Sequence, residues 1–249
     1  MSVKYNTKAK SMIHKVKSRV NFSDVTSGFR LKLCALVRVL QESAIEHSDL
    51  AGYGAEEIIE RDNGWILNKL LINIKRYPKY KEEITTETWH RGSKGFKSFR
   101  DFAVYAGEDP IVTVSSVYLF LDLKKKKILR APSDTNDKYS VEDICINEED
   151  VEKWRPVKDF KGENEIDFTT RFSDFDPMNH VNNSSYFDYI ETLIASGKKR
   201  SEIKSIRIMF NKEIGKDVIN VKASSKKDGN KTLFKIGQAD TLFACGEYF

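Results

Sequence analysis

The sequence predicts an α+β protein built from two similar halves, each a long helix set against antiparallel strands. Three observations predict it. A short pattern recurs 150 positions apart, as Asn21-Phe22-Ser23-Asp24 and Arg171-Phe172-Ser173-Asp174. A repeat on this scale governs the whole fold. Each copy is followed by apolar residues every three or four positions: Leu33, Leu36, Val37, Leu40 and Ala44, then Tyr186, Ile190, Leu193 and Ile194. That spacing gives a helix one buried stripe. Behind each helix, segments such as Ile206, Ile208, Phe210 alternate apolar with polar, as strands with one buried face do.

In chain order, residues 12–22 read as a first strand and the helix runs from Leu33 to about His47. Strands are expected at 71–75, 84–90, 99–105 and 111–121. The second half opens on the alternation Ile166, Phe168, Thr170, Phe172. After its helix come strands at 206–210, 218–223, 232–237 and 241–249. A polar, acid-rich stretch at 133–165 is too long for a tight connection and reads as a linker, with a short helix at 147–154. The expected division is residues 1–132 as an N-terminal domain, 133–165 as linker and 166–249 as a C-terminal domain. A helix wrapped by such a sheet is the hotdog arrangement. The expectation is therefore a tandem (double) hotdog, one chain mimicking the symmetric dimer.

Composition narrows the function classes. The chain has 249 residues, 40% hydrophobic and 32% charged, a balance that fits a globular core. No apolar run nears the roughly 20 residues of a membrane-spanning helix. Cys34, Cys145 and Cys245 lie far apart with no metal or redox spacing, which fits a reducing cytoplasm. The net charge of +5 is no argument for nucleic acid, because no aromatics interleave the lysine runs. Those runs, at 124–127, 198–200 and 226–227, read first as solvated surface. The sharper reading is a surface that steers an acidic partner. The first twenty residues carry six basic side chains and no acidic one. With Arg19 their only arginine and no apolar core, they read as part of the fold rather than a targeting segment.

The densest motif runs from Asp174 through Asp176, His180, Asn182 and Asn183 to Tyr186, where the second half turns from strand to helix. A carboxylate and an imidazole four residues apart there can both face the positive end of the helix, whose first N–H groups can receive developing negative charge. The plain alternative is structural. Asp and Asn commonly cap helices, and Asn183 serves as such a cap on that reading. Pro177 and Asn179 would then only shape the turn.

Context favours chemistry. The run Asp174-x-Asp176-x-x-x-His180-Val181-Asn182-Asn183-x-x-Tyr186 resembles the signature of hotdog thioesterases. With Leu40-Gln41-Glu42-Ser43-Ala44, Asn63-Gly64-Trp65, Arg76-Tyr77-Pro78 and Glu87-Thr88-Trp89, the chain resembles the acyl-carrier-protein thioesterases of bacteria and plant plastids over residues 20–249. The resemblance implies Asp176 as the acid before the catalytic His180, and Glu213, in the segment from Lys212 to Asp217, as a further catalytic carboxylate. It implies Asn179, Val181, Asn182 and Asn183 as positioning or oxyanion groups. It implies a fatty acyl thioester of acyl carrier protein as substrate, with no cofactor and no metal. Met178 departs from the plant pattern, which places an asparagine two residues before the histidine; a thioether cannot replace an amide donor.

The remaining candidates read as structural. His47 and His90 lack a ligand cluster, His14 reads as a surface residue of the first strand, and Cys34 lies beside the buried helix stripe. No phosphate loop or nucleotide fingerprint is present. Rival readings are an acyl-coenzyme A thioesterase, a hotdog dehydratase or hydratase, and an acyl-binding module without turnover. Oligomeric state is open, and a homodimer is compatible. The repeat further implies one active site. Asp176 falls opposite Thr26 and His180 opposite Arg30, and with an offset of about 135 after the helices Glu213 falls opposite Pro78.

Overall fold

The computed structural model describes residues 13–197 and 203–249. Its strands are β1 (Ile13–Arg19), β2 (Asn63–Ile74), β3 (Glu83–Lys94), β4 (Lys97–Tyr105), β5 (Pro110–Asp122), β6 (Lys127–Ile128), β7 (Asn164–Thr169), β8 (Ser205–Phe210), β9 (Asn220–Asp228), β10 (Lys231–Gln238) and β11 (Thr241–Tyr248). Its helices are α1 (Leu33–Leu50), α2 (Ala55–Arg61), α3 (Thr135–Tyr139) and α4 (Asn183–Gly197). The protein is α+β. One antiparallel sheet runs in the order β1-β3-β4-β5-β2-β8-β11-β10-β9-β7, with β6 paired to β5.

That order repeats itself. The first half contributes β1-β3-β4-β5-β2 and the second β7-β9-β10-β11-β8, strand for strand. The halves join where β2 pairs with β8, Lys69 opposite Met209 and Asn73 opposite Ser205. Both long helices lie on one face of the sheet and pack on each other. The predicted stripes are the buried ones: Leu33, Leu36, Val37, Leu40 and Ala44 on α1, and Tyr186, Ile190, Leu193 and Ile194 on α4. They join Ile72, Phe102, Val114, Ile206, Ile208 and Phe234 of the sheet in one core. A core shared by both halves leaves neither helix a free apolar face.

Three expectations need correction. β1 ends at Arg19, and Phe22 sits 71% exposed in a short 3-10 turn; Met12 lies outside the described residues. The strand expected at 71–75 begins at Asn63, because a bulge between Leu67 and Lys69 breaks the alternation a sequence reading follows. The helix expected at 147–154 is a set of turns, and the linker's helix is α3. The segment expected as linker packs on the sheet. Val151 is buried against Leu71 and Val117 on the outer face of the sheet. Lys69 donates to the carbonyls of Glu152 (2.8 Å) and Trp154 (2.7 Å), and Trp154 donates to Glu247 (2.9 Å). Burial lowers the Lys69 pKa to about 8, the cost of anchoring the linker with an ammonium.

Candidate active site

The turn before each helix is built the same way. Thr26 N–H donates to Arg30 O (2.9 Å) and Asp176 N–H to His180 O (2.8 Å). Phe29 and Asn179 close the turns at φ 54° and 59°; asparagine takes this left-handed conformation far more readily than phenylalanine does. Lys32 N–H donates to Asp24 O and Asn182 N–H to Asp174 O. Leu31 N–H donates to Pro78 O, and Val181 N–H to Ile214 O, both at 2.9 Å. The 150-residue correspondence therefore holds through the turn. The partner loops fix the second offset, making Pro78 the counterpart of Ile214. Glu213 is then the counterpart of Tyr77, not of Pro78; an irregular connection offers no periodicity from which to place a one-residue offset. Thr26, Arg30 and Tyr77 stand where the second half has Asp176, His180 and Glu213.

Asp176 and His180 are both half-buried. Asp176 Oδ1 accepts from Met178 N–H (2.9 Å) and His180 N–H (3.2 Å), so the carboxylate that precedes the imidazole also shapes its turn. His180 forms a backbone bridge to Gly215, two residues beyond Glu213. Glu213 lies in the connection between β8 and β9, its side chain 34% exposed. Partial burial pushes its pKa up. The hydrogen bond and charge of Lys126, a backbone hydrogen bond and the His180 imidazole outweigh that and hold the carboxyl below its usual range. Lys126 comes from the other half, in the turn between β5 and β6, and pairs directly with the Glu213 carboxylate. Tyr186, buried on the first turn of α4, feels both Asp176 and Glu213; burial drives its phenol well above the usual range. The three acid–base candidates thus converge on one end of α4.

The four positioning candidates divide. Asn179 is exposed, and its place at positive φ accounts for it as a turn residue. Val181 and Asn182 commit their N–H groups to Ile214 O and Asp174 O, so neither backbone donor is available to a ligand. Asn182 is also the helix cap, its Oδ1 accepting from Ser184 N–H at 2.9 Å. The cap role anticipated for Asn183 therefore belongs to its neighbour. Asn183 N–H has no acceptor among the described residues, and it stands at the positive end of α4. Its counterpart at the start of α1, Leu33 N–H, is occupied by Glu191 Oε2 at 3.1 Å.

The histidines set aside from the sequence are held by neighbours. His47 Nδ1 accepts from Arg100 (2.9 Å), His90 lies between Ser98 and Asn136, and His14 stacks on His47 and contacts Glu46. One group among the described residues has metal-ligand types, Cys34 with Asp188 and Glu191, within 4.8 Å. It fits a metal poorly. Burial, with the hydrogen bond and charge of Asp188, pushes the Cys34 thiol up to about 12, and Glu191 already caps α1. Lys126 and Glu191 escaped the sequence reading because each acts across the two halves. Only the lysine run at 124–127 pointed toward the first of them.

The fold is a duplicated sheet that carries the candidates Asp176, His180 and Glu213 at one of its two equivalent helix starts. Comparison with known proteins gives the family. The model described as the acyl-ACP thioesterase N-terminal domain matches residues 11–139, and that of the C-terminal domain matches 157–244. The chain belongs to the acyl-ACP thioesterase family. It is 26% identical over 196 residues to a chloroplastic acyl-[acyl-carrier-protein] hydrolase of Cuphea viscosissima, covering 72% of this chain and 47% of that protein. It is 25% identical, with the same coverages, to a chloroplastic palmitoyl-acyl carrier protein thioesterase of Arabidopsis thaliana. The chain thus spans about half the length of these curated relatives. Its fold matches an acyl-ACP thioesterase from Bacteroides thetaiotaomicron (TM-score 0.81, 19% identity, 96% of this chain and 97% of that one). It also matches the 12:0-ACP thioesterase from Umbellularia californica (TM-score 0.83, 16% identity, 96% of each). No helix among the described residues is long and apolar enough to cross a membrane.

Proposed function

We propose that the chain hydrolyses fatty acyl thioesters of acyl carrier protein to a free fatty acid and the carrier thiol. The observation that carries this reading is the convergence of Asp176, His180 and Glu213 beside the Asn183 N–H, which has no acceptor among the described residues. Glu213, held as a carboxylate, takes a proton from water as it adds to the thioester carbon; such help is typically worth about 10²–10⁴ in rate. The carbonyl oxygen, now an oxyanion, is received by Asn183 N–H at the positive end of α4. His180 polarises this centre, and Asp176 fixes its backbone. Collapse of the adduct breaks the C–S bond and returns the proton to the leaving thiolate.

On this reading the architecture is a tandem hotdog, with an N-terminal domain through about residue 132, a linker to 165 and a catalytic C-terminal domain. On the same reading α1 and the strands of the first half supply much of the acyl lining. One chain supplies both halves, so a second copy is not needed for chemistry. The three unpaired cysteines favour a reducing compartment such as the cytoplasm.

The second reading keeps the same residues and replaces the carrier with coenzyme A. Turnover of matched acyl carrier protein and coenzyme A thioesters, with thiol and fatty acid both measured, separates the two. A preference of tenfold or more for the carrier substrate is expected. Equal rates would move the assignment to coenzyme A, and acyl binding without thiol release would end the hydrolase reading.

A further inference from the structure

Glu213 belongs to the second half, but the cation that pairs with it does not. Lys126 is at the tip of the turn that follows β5, in the half without catalytic residues. It adopts φ 52°, a left-handed conformation unusual for lysine. Its neighbours in the run are engaged elsewhere: Lys124 pairs with Asp62 and Lys125 with Asp122. Lys126 alone of these three crosses to the other half.

The charged and titratable groups around Glu213 come from three elements. Lys126 reaches it from the β5–β6 turn, His180 from the turn before α4, and Tyr186 from α4 itself, with Asp176 acting on the same phenol. Lys212 precedes Glu213 on its own segment and is exposed. When an acyl arm covers the site, water is displaced and the carboxylate loses solvation, which favours its protonated form. A protonated Glu213 cannot accept a proton from water. His180 is itself engaged at the thioester, so it is not a dependable counter-charge.

We propose that Lys126 is a positioning residue for the hydrolysis: it keeps the Glu213 carboxylate ionised and held toward His180 when the site is covered. The non-catalytic half thereby contributes to the chemistry through one side chain. The inference rests on the reading of Glu213 as the base. It also differs from a role for Lys126 as one more contact for an acidic carrier, and the two roles separate by experiment.

The test is the pH profile of kcat, which reports the covered site, together with that of kcat/KM, for Lys126→Ala and Lys126→Arg, each with an acyl carrier protein substrate and with a short pantetheine thioester of the same acyl chain. Positioning predicts that the acid limb of Lys126→Ala moves up by about one pH unit with both substrates, the size of shift an adjacent opposite charge produces. Near pH 5 this appears as a loss of roughly twofold to threefold, widening toward about tenfold at lower pH and vanishing toward pH 8, and Lys126→Arg restores the limb to within about 0.3 unit. A loss confined to the carrier substrate with an unmoved limb would overturn the proposal in favour of simple docking. An unmoved limb with no loss would overturn it outright. Glu213→Gln in the same assay separates the two levels of the argument. Near-normal turnover there removes the base assignment itself, whereas a severe loss combined with an unmoved Lys126→Ala limb removes only the proposal.

Discussion

The backbone N–H of Leu33 donates to the Glu191 carboxylate at 3.1 Å, so the first turn of α1 is capped by a side chain of α4. The equivalent N–H of Asn183 carries no such cap among the described residues. The two helix starts thus differ at their first N–H: a carboxylate takes that of Leu33, and no acceptor among the described residues takes that of Asn183. Replacing Glu191 by Ala should lower stability by about 1 kcal/mol, the usual scale of a lost N-terminal cap. Turnover should stay within about twofold of the parent at 25 °C. Urea unfolding midpoints and steady-state rates check both halves of this expectation.

A second expectation concerns acid stability. Burial lowers the His90 pKa to about 4 from an ordinary 6.5, with the Arg100 charge acting in the same direction and the Asn136 hydrogen bond opposing it. The unfolded chain therefore binds a proton between pH 6.5 and 4 that the folded chain refuses. Stability from this site is fully present above pH 6.5 and is lost as pH falls toward 4, by up to about 3 kcal/mol. His90→Gln should flatten the dependence of the unfolding midpoint on pH across that window. An unchanged slope would remove His90 as its source.

A third expectation concerns the carrier. Lys124, Lys125 and Lys126 already pair within the chain, so the run at 124–127 presents less free charge than its sequence implies. The run at 198–200 lies outside the described residues. Screening acts over roughly 8 Å at physiological ionic strength. The second-order rate with acyl carrier protein should therefore fall between 20 mM and 500 mM salt, by about threefold to tenfold, while a pantetheine thioester changes by less than about twofold. Equal responses would leave the basic runs as solvated surface.

Much of this was legible in the sequence, and the reasons are specific. Periodicity located both helix stripes, because a buried face imposes its spacing on the residues. The repeat set the topology, since each half solves the same packing problem. The dense motif singled out Asp176 and His180 as candidates, and the structure sets them in one turn before α4. What stayed hidden was set by single hydrogen bonds between segments distant in sequence. Examples are the cap on α1 from Glu191, the Lys126 pair with Glu213 and the anchoring of the linker by Lys69. The N–H commitments of Val181 and Asn182 belong here too, because residue type says nothing about where a backbone donor points. The early start of β2 was hidden by its bulge, and the opposition of Glu213 to Tyr77 by the lack of any period in a loop.

The central claim is that a duplicated fold carries out its chemistry at only one of two equivalent ends. The most direct measurement is turnover of an acyl carrier protein thioester by two single variants at mirror positions, Glu213→Gln and Tyr77→Phe. The account predicts a loss of roughly a hundredfold or more at Glu213, since water loses its base, and a change of less than about threefold at Tyr77. Comparable losses at both positions, or near-normal turnover by Glu213→Gln, would contradict it.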